Sequence, residues 1–235
     1  MNEKDTLSVV TSIADLRDVL IAADPDVGAL QEWPKSRDAA TKAMCARLGY
    51  GYGRPARGGG PVIWKLSKYR PRSLKAIRLV RGEFVGHLLG RRSRLGPSWC
   101  TEAIFDELPG DKPDGSKSAI LGYHFTAEVQ DMKGGGGYKK GLQYLLRVRR
   151  HKKEKRRLGR RARRNERRGI ETYAGGDSNF SGMELGGFRN CWDGYEGGDL
   201  GGRAVTIVFA AKKPAKKPQT FKTKSDHLAV VVTYP

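Results

Sequence analysis

Asp26-Val27-Gly28-Ala29-Leu30-Gln31-Glu32 is an apolar run that ends on a carboxylate. Two later stretches set hydrophilic groups against apolar runs in the same way. They are Gly175-Gly176-Asp177-Ser178-Asn179-Phe180, after Tyr173-Ala174, and Ser225-Asp226-His227, ahead of Leu228-Ala229-Val230-Val231-Val232. Short apolar runs bounded by Gly, Asp and Ser read as buried strands. A carboxylate on the rim of a strand is held rigidly yet still reaches a ligand. Carboxylates from several strands meeting at one rim would bind a hard divalent cation such as Mg²⁺, which takes oxygen ligands. Each string alone is a weak signal. Their order, each beside an apolar run, carries the weight.

Working outward, strand and helix patterns alternate, which predicts an α/β architecture. Residues 7–10 read as a short strand, 15–23 as a helix and 27–31 as a buried strand. A helix is expected over 36–48, between Pro34 and Gly49. Strands follow at 61–64 and at 75–80, the latter alternating like an edge strand. Residues 99–107 and 119–128 form an expected strand pair, and Gly134 to Gly137 reads as a hinge. The stretch 138–168 reads as one long basic helix, broken near Gly159. Further strands end at Ala174 and cover 204–209 and 228–233. No internal repeat is visible. The spacing predicts a single domain over 1–235 with an Arg/Lys-rich insertion at about 138–168.

The charge is concentrated in that insertion. The 235-residue chain carries 45 Lys plus Arg against 25 Asp plus Glu, a formal charge of +20. Residues 147–168 hold 14 of those cations against Glu154 and Glu166, whereas residues 1–50 are close to neutral. Such density is tolerable when solvated or when facing a polyanion. Phosphate contacts gain binding free energy from counterion release, so nucleic acid, DNA ahead of RNA, is the expected partner. The candidate contacts are Arg147, Arg149, Arg150, Lys152, Lys153, Arg156, Arg157, Arg160, Arg161, Arg163 and Arg164. An anionic membrane surface is the rival, but only Val148, Leu158 and Ala162 offer apolar contact. A smaller basic cluster, Lys212-Lys213-Pro214-Ala215-Lys216-Lys217, lies downstream.

No apolar run approaches the roughly 18 residues of a membrane span, and the N-terminus lacks the pattern of a signal peptide. Cys45, Cys100 and Cys191 are odd in number and have no metal-ligand spacing. A reduced, cytoplasmic protein without disulfides is expected, and no obligate protein partner is indicated.

Leu30-Gln31-Glu32, Gly176-Asp177-Ser178-Asn179 and Ser225-Asp226-His227 resemble the LQE, GDxN and SDH strings of the endonuclease/exonuclease/phosphatase superfamily. His124, closing Ala119-Ile120-Leu121-Gly122-Tyr123, matches a fourth landmark. The resemblance runs from about Leu7 to Tyr234, the basic insertion excepted. It implies a four-layer α/β (α+β) sandwich of two packed mixed β-sheets flanked by helices, with the active site at one end. It further implies a Mg²⁺-dependent (or Mn²⁺-dependent) phosphodiesterase, read with the basic segment as an endonuclease of weak sequence preference. Glu32 would hold the metal, and Asp226 would ligate or position it. Asp177 would take a proton from the attacking water or align it. Asn179 would hold the water or a phosphate oxygen, and His227 would stabilise developing charge on the phosphate. His124 would be a general acid or phosphate contact.

Two departures from that pattern stand out. The first strand lacks the family's Asn, leaving Thr11 or Ser12 in its place. Thr206 stands where the family has the Asp that orients the catalytic His, with Asp199 as a substitute. Two rival readings therefore stay open: a nucleic-acid-binding module with a decayed site, and a phosphatase of phosphorylated lipids or inositols using Lys222 and Lys224. Elsewhere, His87 and His151 read as exposed, and Glu102 and Asp106 as sheet-surface residues. The tryptophans read as core, except that Trp192, with Tyr195, is placed to stack on a base.

Overall fold

The computed structural model describes residues 4–8, 12–88, 91–109, 115–126, 142–180, 182–198, 204, 206–224 and 228–235. The first half holds β1 (Lys4–Ser8), α1 (Ile13–Ala23), β2 (Val27–Ala29), α2 (Asp38–Arg47), β3 (Tyr50–Gly53), β4 (Val62–Lys65) and β5 (Tyr69–Val80). Then come β6 (Glu83–Leu88), β7 (Arg91–Leu95), β8 (Ser98–Glu107), β9 (Lys117–His124) and α3 (Leu142–Glu166). The chain closes with β10 (Ile170–Asp177), β11 (Arg189–Asn190), β12 (Thr206–Ala210), β13 (Gln219–Phe221) and β14 (Ala229–Tyr234).

One six-stranded sheet runs β13-β14-β1-β2-β4-β3, the other β11-β12-β10-β9-β8-β5, and β6 with β7 makes a separate hairpin. Each large sheet mixes directions: β1–β2 and β9–β10 are its parallel pairs, and the other neighbours are antiparallel. β5 is an edge strand, as its alternation predicts. Alternation also explains β14, where Ala229 and Val231 face the layer of α1 and α2 while Val230, Val232 and Tyr234 face the second sheet. Where β2 crosses β9, a Cβ on Gly122 would lie 2.9 Å from that of Ala29, so small residues set how closely the sheets approach. The layers are α1/α2, first sheet, second sheet and α3.

Local chemistry fixes the ends. Ser12 caps α1, its hydroxyl accepting from the Asp15 amide at 3.0 Å, while Leu16, Val19 and Leu20 are buried. That role takes Ser12 away from the metal site, and Thr11 lies outside the described residues. The Gly134–Gly137 hinge and residues 138–141 also lie outside them.

The basic segment differs most from expectation. α3 is continuous through Gly159, where the helix packs tightly: a Cβ there would lie 3.1 Å from Leu185. Arg147, Arg150, His151, Glu154, Leu158, Ala162 and Asn165 are buried at three- and four-residue spacing, and Leu158 and Ala162 join the main core. The helix expected as an insertion thus forms the outer layer of the sandwich. Glu102, expected on the surface, is fully buried beneath it. Arg161 donates to both of its carboxylate oxygens at 2.5 Å, and Asn165 donates at 3.0 Å. Burial alone would raise the Glu102 carboxyl, but these donors hold it below its ordinary value. Asp106 does face outward, paired with Arg72 at 3.2 Å. Cys45, Cys100 and Cys191 are all buried and free. No helix among the described residues is long and apolar enough to cross a membrane.

Candidate active site

Three of the expected residues meet at one end of the sandwich. Glu32 follows β2 with a positive φ of 49°, which turns its backbone off the strand and leaves its side chain 72% exposed. The loop 58–61 supports that turn from below. The Leu30 amide donates to Pro61 O at 3.0 Å, and a Cβ on Gly60 would sit 2.2 Å from Leu30 O, so only glycine fits. On the second sheet His124 and Asp177 are register partners at the last positions of β9 and β10. His124 Nε2 lies 3.6 Å from Asp177 Oδ2 and 3.9 Å from Glu32 Oε1. Both separations exceed a hydrogen bond, and the imidazole lies between the two carboxylates.

The turn after β10 is built by its own sequence. Asp177 Oδ1 accepts from the Asn179 amide at 2.8 Å, an Asx turn, and Asn179 has a φ of 50°. Asn179 Nδ2 donates to Phe125 O at 3.0 Å, so this residue braces the turn against the end of β9. Gly176 permits the close approach of the two strands, since a Cβ there would lie 1.8 Å from Tyr123 O.

α3 holds the same rim from outside. Arg150 donates to Thr126 Oγ1 at 2.9 Å, Arg81 O at 3.1 Å and Gly96 O at 2.5 Å. Glu154 accepts from the Thr126 amide at 3.0 Å and its hydroxyl at 2.8 Å. His151 lies 2.9 Å from Ser178 O through Nε2, which carries the proton because a carbonyl only accepts. Expected as exposed, His151 is instead buried between the rings of Phe125 and Phe180, 5.2 and 5.7 Å away. Burial holds it below its ordinary value, against the opposing pull of Ser178 O and Glu154. The residue spacing that places His151 on the inner face of α3 was the signal available in the sequence.

The expected nucleic-acid contacts divide into two sets. Arg147 and Arg150 are buried, Lys153 pairs with Glu83 at 2.6 Å, and Arg157 donates to Leu79 O at 2.6 Å. Arg161 is held by Glu102, and Arg163 donates to Gly186 O at 2.7 Å. These six contribute to the fold. Arg149, Lys152, Arg156, Arg160 and Arg164 are exposed, make no ion pair among the described residues, and recur every three or four positions. They line the outer face of α3 over about 22 Å at 1.5 Å per residue.

Asp226, His227 and Asp199 lie outside the described residues. β14 starts at Ala229, and its Val230 pairs with Ser8, which pairs with Ala29. The strand therefore begins at the sheet end from which Glu32 emerges. Thr206 is buried opposite Asp177 on β12, and its carbonyl accepts the Trp192 indole N–H at 2.9 Å. Trp192 is therefore core, not a stacking surface.

Among the described residues no three His, Cys, Asp or Glu side chains form a metal cage. An exposed Glu32 carboxylate facing Asp177 across His124 fits Mg²⁺ instead. That ion keeps several waters and binds through one or two carboxylates plus substrate oxygens.

No family model and no curated protein sequence matches the chain. Solved structures do. The human Nocturnin catalytic domain aligns with a TM-score of 0.67 at 12% identity, covering 98% of this chain and 93% of that one. An endonuclease/exonuclease/phosphatase family protein from Bacteroides thetaiotaomicron aligns at 0.65 and 12% identity, covering 99% and 97%. A mannosyl-6-phosphatase from the same species aligns at 0.64 and 11%, covering 98% and 99%. The chain has the fold of the endonuclease/exonuclease/phosphatase proteins.

Proposed function

We propose that the protein is a divalent-metal-dependent phosphoester hydrolase acting on nucleic acid, an endonuclease of weak sequence preference. The observation that carries this reading is the meeting of Glu32, His124 and Asp177 at one mouth, from two sheets and three distant parts of the chain. Asp177 Oδ1 accepts from the Asn179 amide, which fixes the direction of the carboxylate that would take a proton from the attacking water. His124, between two carboxylates, is placed to contact a phosphate oxygen. Glu32 would hold Mg²⁺, which when bound polarises the phosphate and offsets its charge. Asp226 and His227 complete this reading as a second metal contact and a phosphate contact.

The outer stripe of α3 supports a polymeric substrate. Five cations spread along a rigid helix match successive phosphates and carry no direct sequence information. The fold is shared with a mannosyl-6-phosphatase, so cleavage of a small monoester is the alternative outcome.

The test is cleavage of supercoiled plasmid, single-stranded DNA and RNA by the full chain in Mg²⁺ or Mn²⁺, against EDTA. Glu32→Gln and Asp177→Asn should each lower turnover by about 10²-fold or more without loss of fold. Binding of all three polymers with no cleavage would refute the enzyme. Cleavage of small phosphomonoesters alone, insensitive to heparin, would refute the nuclease.

A further inference from the structure

The end of the sandwich opposite the mouth carries exposed cations that take no part in the site. Lys212 pairs with Glu171 at 2.9 Å, six residue steps and about 20 Å along β10 from Asp177. It opens the loop Lys212-Lys213-Pro214-Ala215-Lys216-Lys217-Pro218, which joins β12 of the second sheet to β13 of the first. The loop is fixed to the fold. Pro214 and Pro218 are buried, and the Ala215 amide donates to Thr233 O at 2.8 Å. Around these anchors Lys213, Lys216 and Lys217 are exposed and make no ion pair among the described residues. Arg167 and Arg168, just past α3, are exposed and unpaired in the same way. Glu166, which ends α3, accepts from the Thr172 amide at 2.7 Å, so those two arginines lie beside the Lys212–Glu171 pair.

Carboxylates at this end are already engaged. Glu171 is held by Lys212, Asp26 by Lys68 at 2.8 Å and Asp24 by Lys65 at 2.5 Å. The five unpaired cations therefore face solvent with their charge uncompensated, and their mutual repulsion is relieved by a polyanion. A bilayer is the poorer partner. The prolines of the loop are turned inward, and Ala215 is the one exposed apolar residue within it, too small to insert among lipid chains.

We propose that this far end is a second nucleic-acid contact surface, which holds one segment of the polymer while another lies at the mouth. The inference rests on the nucleic-acid reading and adds to it a minimum substrate length. A separation of about 20 Å corresponds to about 6 base pairs at 3.4 Å each, so shorter fragments reach one surface only. A longer polymer engages both, and the second contact forms at the high effective concentration set by the first. The contacts go to phosphates, so the surface adds affinity without adding sequence preference.

Equilibrium binding tests it without turnover, using the full chain in EDTA and a DNA duplex of about 20 base pairs over about 50–200 mM salt. The double variant Lys216→Gln/Lys217→Gln should lower the salt slope by about two and weaken binding about tenfold at 0.1 M. Lys42→Gln/Arg47→Gln removes two exposed charges from α2, on the opposite layer, and should move the slope by less than about 0.5. A slope that the lysine pair leaves intact overturns the proposal. So does an equal loss in the two double variants, which marks net charge alone. Phosphatidylcholine–phosphatidylserine vesicles are the rival probe: if the lysine pair abolishes vesicle binding and leaves the duplex slope unmoved, the surface belongs to a membrane and the proposal falls. A lowered slope in a chain that cleaves no polymer retires the nuclease and keeps the surface. Cleavage with the slope unmoved does the reverse.

Discussion

Replacing Arg161 by alanine should destabilise the fold by about 3–5 kcal/mol, whereas the same change at Arg160 should stay within about 0.5 kcal/mol. The two residues are chemically identical neighbours on α3, and only their facing differs. Arg160 is exposed, while Arg161 forks onto Glu102, a carboxylate with no exposed surface. Removing the guanidinium leaves that charge buried. Lys75, at 3.4 Å, and Asn165 soften the loss, which places the expected value towards the lower end of the range. Urea unfolding followed by tryptophan fluorescence measures both. With a slope of about 2–3 kcal/mol/M, the Arg161→Ala midpoint should fall by more than about 1 M and the Arg160→Ala midpoint by less than about 0.3 M. Nucleic-acid affinity should move the opposite way. Arg160→Ala should lower the salt slope of binding by about one, and Arg161→Leu in a chain that still folds should not. Equal midpoint shifts for the two alanine variants would refute the claim that α3 has a structural face and a free face.

Gly176→Ala should be the most damaging single methyl in the site region, because its Cβ would fall 1.8 Å from the Tyr123 carbonyl. A loss of about 3 kcal/mol or more is expected by the same urea assay, and a loss below 1 kcal/mol would show that β9 and β10 can part cheaply. His151 should make stability pH-dependent. Its folded form favours the neutral ring, so stability is complete above the ordinary value of 6.5 and is lost as the pH falls below it. The thermal midpoint of the wild type should therefore drop more steeply from pH 7 to 5 than that of His151→Gln, and parallel curves would remove His151 from that role.

Much of the site was legible because strands place side chains by register. Asp177 and His124 end neighbouring parallel strands, so two separate apolar runs with polar ends already put them side by side. Glu32 was legible for the same reason, and the structure adds the positive φ that turns it outward. The basic segment was misread because charge totals carry no phase. Within residues 147–168 five of the non-cationic residues, His151, Glu154, Leu158, Ala162 and Asn165, fall on one helical face, which marks the buried side. Arginines at neighbouring positions, such as Arg150 and Arg161, then find carbonyls and a carboxylate that no local pattern reveals.

Three sealed thiols give this molecule an internal record of its own opening. Cys45 sits in the layer of α1 and α2, where burial raises it to about 12, while Cys100 and Cys191 sit in the core of the second sheet. Burial holds the Cys45 and Cys100 thiols above their ordinary value, and all three sulfurs are shut away from reagent while their layer is closed. Alkylating reagents will therefore mark each layer only as it breathes, and the order in which the three sulfurs are tagged will tell whether the sandwich comes apart leaf by leaf or all at once.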